Sequence, residues 1–125
     1  MAAELVTAAL VALGGAIGAP ARFWIDGEIK RLAGDRWPLG TMFVNIVGAL
    51  VLGLVAHAVY AGALAGWFLP LLGTGFCGAL TTFSTFSYDT YALISRRAWG
   101  TAVTSVVVTL ALGVGAFALG WALVG

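Results

Sequence analysis

The sequence predicts an all-α membrane protein with four transmembrane helices, the third of them broken. Of the 125 residues, 62% are apolar or aromatic and only 9% are charged, whereas soluble domains are about half apolar and a quarter charged. The few charges are clustered, which leaves uncharged runs long enough to cross a bilayer at ~20 residues per helix. One of these runs is rich in Gly, Ser and Thr, which is unusual for a lipid-exposed helix. A soluble globular enzyme and a disordered chain are therefore excluded.

Charge placement divides the chain into four spans within a single transmembrane domain, 1–125. The predicted spans are about 5–26, 39–60, 67–94 and 98–123. Each of the five tryptophans lies within a few residues of a proposed span end, where an indole keeps its N–H hydrated. No Lys or Arg precedes the first run, so we expect it to be a retained span rather than a signal peptide.

Several classes of function have no support in the sequence. A net charge of +1 provides no basic surface for nucleic acid. The single cysteine, Cys77, excludes an intrachain disulfide framework and a Cys-based zinc site. His57 is the only histidine, so we interpret it as an interfacial residue rather than a metal ligand. With no catalytic triad, carboxylate pair or phosphate-binding loop, we predict that the chain is not an enzyme.

Small residues one helical turn apart predict close helix packing. The motifs Gly14-x-x-x-Gly18 and Ala116-x-x-x-Gly120 would let two backbones approach one another. Together with similar motifs at 62–66 and 111–115, they suggest tight packing that includes a subunit interface. Four helices barely enclose a pore, which also favours an oligomer.

The third span is the most unusual segment. Between residues 73 and 87, nine of fifteen positions are Gly, Ser or Thr. Glycines at 73, 75 and 78 remove the steric barrier to a break at membrane depth, where freed carbonyls and amides can coordinate ions. The alternative is a packing helix whose hydroxyls bond back to its own carbonyls.

Other polar and aromatic residues allow both structural and functional interpretations. Phe83 and Phe86 share one helix face, with Asp89 one turn further on. Their ring edges could line an anion path, or the rings could simply pack. Asn45, the only Asn or Gln, must face protein or a pore. Arg22 could snorkel, cap carbonyls of a neighbouring helix or set a positive potential at a pore mouth.

Three blocks of the sequence resemble the signature blocks of the Fluc/CrcB fluoride channels. They are GGAIGAPAR at 14–22, PLGTMFVNIVG at 38–48 and GFCGALTTFSTFS at 75–87. The resemblance implies an antiparallel, dual-topology homodimer in the inner (plasma) membrane. Such a dimer passively exports fluoride from the cytoplasm through two pores and so protects the cell from fluoride toxicity.

The resemblance also implies site residues. Residues matching the family's fluoride pore, including the nearest hydroxyls on the fourth span, are Asn45, Thr82, Phe83, Ser84, Thr85, Phe86, Ser105 and Thr109. The backbone carbonyls of Gly78 and Thr81, from both subunits, match those that hold a structural Na⁺ at the dimer centre. Asp89 matches the acidic residue that follows the third block. Its position one turn beyond Phe86 and near a membrane face predicts an influence on entry or open-state stability, and the position of Arg22 makes it a pore-mouth or structural residue.

Two questions stay open from the residues alone. Five of the six Lys and Arg follow spans one and three, and the sixth, Arg22, lies near the end of span one. The positive-inside rule would then orient every copy the same way, against dual topology. The residues also do not distinguish fluoride from another small anion. A proton-coupled multidrug-type transporter is the alternative function, although it needs a carboxylate deep in a span. A small accessory membrane subunit is the non-transport alternative.

Overall fold

The computed structural model describes residues 1–34, 36–81 and 83–124, without the side chains of Phe83 and Ser84. The elements in chain order are helix α1 (Ala2–Ala33), helix α2 (Leu39–Tyr60), the π-helix π1 (Leu69–Cys77), the single turn α3 (Gly78–Leu80), helix α4 (Phe83–Ser95) and helix α5 (Trp99–Val124). No strand occurs in these ranges. The prediction of an all-helical chain is confirmed for the described residues.

Three of these helices, α1, α2 and α5, are long and apolar enough to cross a membrane. The third predicted span, 67–94, is instead divided among π1, α3 and α4, each too short to cross a bilayer alone. The described chain therefore has three candidate spans rather than the predicted four. The three candidate spans indicate a multi-pass membrane protein. A fourth crossing built from the divided segment remains a proposal.

Helix α1 continues well beyond the apolar stretch that predicted it. Its last turns are charged and carry two ion pairs, Lys30–Asp26 at 3.3 Å and Arg31–Glu28 at 2.6 Å. Pairs three and four residues apart stabilise a helix, and basic side chains suit its C-terminus. The helix ends at Gly34, whose φ of 77° is readily adopted by glycine.

Helix α1 packs along π1 and α3, and glycines make this approach possible. A Cβ at Gly14 would collide with the carbonyl oxygen of Leu71, and a Cβ at Gly75 would meet that of Val11. The Gly14-x-x-x-Gly18 motif therefore packs within one chain, because Gly18 meets the same segment at Phe76.

Helices α2 and α5 form the second close pair. A Cβ at Gly53 would collide with the Phe117 carbonyl, and one at Gly120 would collide with the Leu50 carbonyl. Gly115, by contrast, has open space where its Cβ would lie. The predicted tight packing is confirmed at Gly14, Gly18 and Gly120. Whether the exposed small residues form a subunit interface remains a prediction.

The divided segment leaves helical geometry later than its glycines suggest. Gly78 has helical dihedral angles of −63° and −36°, whereas Thr81 is extended with ψ at 156°. Both the amide and the hydroxyl of Thr81 donate to the Cys77 carbonyl, at 2.9 and 2.7 Å. The break expected at Gly78 and Thr81 lies at Thr81, whereas glycines 73 and 75 lie within π1, where Gly75 packs against α1.

Candidate functional site: a central groove and an end pocket

The largest group of sequence-predicted site residues meets in one groove, here called the central groove, of about 460 Å³. It lies where α2, the break at Thr81, α4 and α5 converge. Its lining residues are Asn45, Thr81, Phe86, Thr109, Leu110, Gly113, Val114 and Phe117. The α5 wall is uncovered in the single chain, since Val114 is 71% exposed. Among the described residues, three polar side chains and two phenyl rings, those of Phe86 and Phe117, thus share a cavity walled otherwise by glycine and aliphatic residues.

Thr109 and Ser105 lie one turn apart on α5, and the structure distinguishes them. Ser105 is fully buried, donates to the Ala102 carbonyl at 3.0 Å and is not part of the groove lining. Thr109 lines the groove, and its buried hydroxyl has no hydrogen-bond partner within the described part of the chain. A buried hydroxyl without a partner is costly. The Thr109 hydroxyl can therefore donate to a polar species in the groove.

Asn45 on α2 and Phe86 on α4 line the groove together and are both half-buried. An amide NH₂ offers two donors, and a phenyl edge carries positive charge density. Thr85 is half-buried next to Phe86 but does not line the groove. The expectations for Thr82, and for the side chains of Phe83 and Ser84, lie outside the described residues.

Thr41 is a site residue that sequence reasoning missed. Its hydroxyl donates to Oδ2 of Asp89 at 2.7 Å, and the Thr41 residue is only 3% exposed. This bond joins the first turn of α2 to the middle of α4. The available signal was the spacing of Thr41 and Asn45, which are four residues apart and so share one face of α2.

Asp89 also lines a second cavity, here called the end pocket, of about 290 Å³. Its lining residues are Lys30, Trp37, Pro38, Tyr88, Asp89, Ala92, Leu93 and Arg96. Trp37 and Tyr88 are the aromatic residues expected where a membrane meets water. Of the described residues, two cations and one carboxylate therefore line the same small volume.

Two contacts connect the end pocket to the central groove. On α2, Thr41 and Asn45 are one turn apart, and on α4, Asp89 and Phe86 are one turn apart. Thr41 bonds Asp89, and Asn45 lines the groove with Phe86. Polar groups therefore follow one another from one end of the helices to the groove.

The other predicted residues lie away from both cavities. Arg22 is half-buried on α1 and lines neither of them. His57 stacks on Trp121 with ring centroids 4.2 Å apart, and its Nδ1 contacts the Trp121 carbonyl. Within the described ranges, no group of three or more His, Cys, Asp or Glu residues could hold a metal ion.

Long apolar helices around a polar groove define a multi-pass membrane protein with a site suited to a small polar species. Residues 9–121 match the family described as CrcB-like protein, Camphor Resistance (CrcB), and the chain belongs to this family.

Curated relatives cover most of the chain. One, from Nocardia farcinica, is named fluoride-specific ion channel FluC 1 and is 49% identical over 89% of this chain and 75% of its own. FluC of a Caulobacter species is 42% identical over 89% of this chain and 88% of its own. FluC of the archaeon Thermococcus kodakarensis is 40% identical over 93% of this chain and 97% of its own. Bacterial and archaeal relatives thus carry the same channel name.

Proposed function

We propose that this protein is a fluoride-selective ion channel that lets fluoride leave the cytoplasm passively and so protects the cell from its toxicity. The observation that carries the proposal is the groove that holds Asn45, Phe86 and Thr109 in a chain whose relatives are named fluoride-specific channels. The alternative of a multidrug-type transporter is not favoured by these relatives.

The groove suits a small anion in its chemistry. A fluoride ion entering a pore must exchange its hydration shell for donors in the wall. The amide of Asn45 and the hydroxyl of Thr109 offer such donors, and the Phe86 edge offers positive charge density without a fixed cation. Thr82, Phe83, Ser84 and Thr85 would extend the path, as the family resemblance implies.

We further propose that two copies assemble as an antiparallel, dual-topology homodimer in the inner membrane. The α5 wall of the groove is exposed in one chain, so a second copy is needed to close the path around an ion. The divided segment would then complete the fourth crossing in each copy, with its irregular backbone buried against protein, as membrane depth requires. Exposed glycines such as Gly115 would allow close contact between copies.

A structural sodium ion at the dimer centre is part of the same proposal, and the residues present fit it. Unwound backbone carbonyls and helix C-terminal ends are ligands that Na⁺ accepts in membrane proteins. Gly78 belongs to the last turn before the break, where carbonyls lack partners in their own helix. Gly78 is exposed in the single chain and Thr81 is half-buried and extended. Two copies related by a twofold axis would supply four carbonyl oxygens.

Replacement of sodium tests this part separately from transport. The purified protein should unfold at a lower temperature in N-methylglucamine salts than in sodium salts at equal ionic strength. Equal unfolding temperatures across sodium, potassium and N-methylglucamine would contradict a bound sodium.

Growth of a fluoride-sensitive bacterial strain tests the physiological role. Expression of the wild-type chain should restore growth in fluoride medium, whereas an expressed Asn45→Leu variant should not. Failure of the wild-type chain to protect, with the protein present in the membrane fraction, would contradict fluoride export. The same strain in chloride medium is the control for general toxicity.

A further inference from the structure

The end pocket contains an uneven set of charges. Lys30, Asp89 and Arg96 all line it. The Lys30 ammonium lies 3.3 Å from Asp26, so its charge is already paired. Arg96 is exposed and has no ion pair within the described part of the chain. Arg96 is therefore the cation of this pocket whose field is not balanced by a direct partner.

Asp26 is held in place independently of the pocket. A Cβ at Gly40 would collide with the Asp26 carboxylate, so this carboxylate packs directly against the first turn of α2. A negative charge at a helix N-terminus is favourable. Asp26 therefore contacts α2 through one carboxylate oxygen, while the other lies 3.3 Å from the Lys30 ammonium.

Asp89 in the middle of α4 and Arg96 directly after its last residue lie on the same face of the helix. They are seven residues apart, which places them two turns or about 10 Å apart along the α4 axis. Arg96 closes the helix, since Arg97 and Ala98 donate back to the Ile94 and Leu93 carbonyls. The Arg96 backbone is therefore fixed at the outer rim of the pocket, while Asp89 lies one turn from Phe86 in the central groove.

An anion moving from this pocket toward the groove must pass a carboxylate. The Thr41 hydroxyl occupies one oxygen of Asp89 but does not remove its charge. Without a compensating cation, the pocket would therefore repel anions. The remaining nearby charges do not supply one: Arg31 pairs with Glu28, and Arg36 and Arg97 do not line the pocket.

We propose that the end pocket is the mouth of the fluoride path and that Arg96 is the positioning residue whose charge admits anions past Asp89. This inference rests on the proposed function. Arg96 acts through the potential of the mouth and forms no part of the conducting groove. Its effect is consequently long-ranged and sensitive to salt, unlike that of a residue required for folding.

Fluoride efflux from vesicles containing purified variants tests the proposal. Arg96→Gln should slow efflux about twofold to fivefold at ionic strengths near 10 mM, where the Debye length is ~30 Å. The difference should vanish near 1 M, where the Debye length is ~3 Å. Arg96→Lys should keep the wild-type rate. Arg97→Gln is the matched control, because it removes the same charge from the adjacent residue outside the pocket.

Asp89→Asn provides a second test that does not depend on Arg96. The Asn carbonyl oxygen can still accept from Thr41, so the variant removes charge but keeps the contact. Efflux should rise at low ionic strength with the preference for fluoride over chloride unchanged. The double variant Asp89→Asn/Arg96→Gln should return to about the wild-type rate.

Three results would overturn the proposal. The first is an efflux rate for Arg96→Gln equal to that for Arg97→Gln at low ionic strength. The second is a loss of efflux that persists at high ionic strength and also occurs in Arg96→Lys. The third is an efflux rate for Asp89→Asn that does not rise above that of the wild type. If wild-type vesicles release no fluoride, the proposed function fails instead, and the two failures are thereby distinguished.

Discussion

The hydroxyl of Thr41 donates a hydrogen bond of 2.7 Å to the carboxylate of Asp89 and so joins α2 to α4. Helix α4 is separated from π1 and α3 by the extended backbone at Thr81. Its rotation about its own axis must then be set by contacts such as this one. That rotation decides which side chains of α4, Phe86 among them, face the central groove.

Thr41→Val should therefore weaken both folding and conduction. The variant keeps the side-chain shape but leaves a half-buried carboxylate without its donor, at a cost of about 1–3 kcal/mol. We expect a lower thermal unfolding midpoint in detergent and slower fluoride efflux from vesicles. Thr104→Val, an exposed position on α5, is the control and should change neither quantity. Wild-type behaviour of Thr41→Val would show that the bond does not position α4.

Thr109→Val should separate stability from transport. The wild-type hydroxyl is buried without a partner in the described chain, so its removal should leave the unfolding midpoint unchanged or raise it. Fluoride efflux should nevertheless slow, because a donor facing the groove is lost. Ser105→Ala should do the opposite, with a small loss of stability and near wild-type efflux, since that hydroxyl bonds Ala102. Normal efflux through Thr109→Val would remove Thr109 from the path.

Phe86→Ile tests whether the ring acts electrostatically. Isoleucine keeps apolar bulk but lacks the positive edge of a phenyl ring. Efflux should fall at least tenfold, while the yield of folded protein on size-exclusion chromatography changes little. Phe43→Ile on α2, where the residue is 48% exposed, is the control and should conduct normally. A wild-type rate for Phe86→Ile would mean that the ring only packs.

Gly120→Ala should disrupt the α2–α5 pair. The added methyl group would meet the Leu50 carbonyl and the Leu54 amide, which are backbone atoms and cannot rotate away. We expect loss of several degrees in the unfolding midpoint or failure to fold. Gly115→Ala meets open space and should be neutral or stabilising by up to about 1 kcal/mol from helix propensity. Equal midpoints for the two variants would contradict the packing described for this pair.

The fold class could be predicted from the sequence because composition and charge placement indicate whether a helix is surrounded by lipid or by water. Hydropathy does not report helix ends in the same way. The charged turns of α1 stay helical through Ala33, where the pairs Asp26–Lys30 and Glu28–Arg31 each connect successive turns of the helix. An apolar boundary thus marks where a membrane ends, whereas the helix itself can continue into water.

The break in the divided segment could be predicted from its glycines, and the family resemblance placed it at Gly78 and Thr81, where the backbone of Thr81 is extended. A glycine permits irregular backbone, but it also permits close contact between helices. In π1, Gly75 serves close contact, because α1 lies directly against it. Thr41 and the end pocket were not foreseen, since each depends on residues far apart in sequence that only packing brings together. Asn45 and Phe86 were predicted from the family's motifs, and Thr109 was predicted with Ser105 as a nearby hydroxyl on the fourth span. Asn45, Phe86 and Thr109 do meet in one groove, whereas Ser105 does not line it.

Anion efflux from vesicles that contain only the purified wild-type chain tests the central claim most directly. Vesicles loaded with equal fluoride and chloride, and followed with two ion-selective electrodes, should release fluoride rapidly after a potassium ionophore is added. Chloride should leave no faster than from protein-free vesicles. Equal release of the two anions, or release of neither, would contradict a fluoride-selective channel.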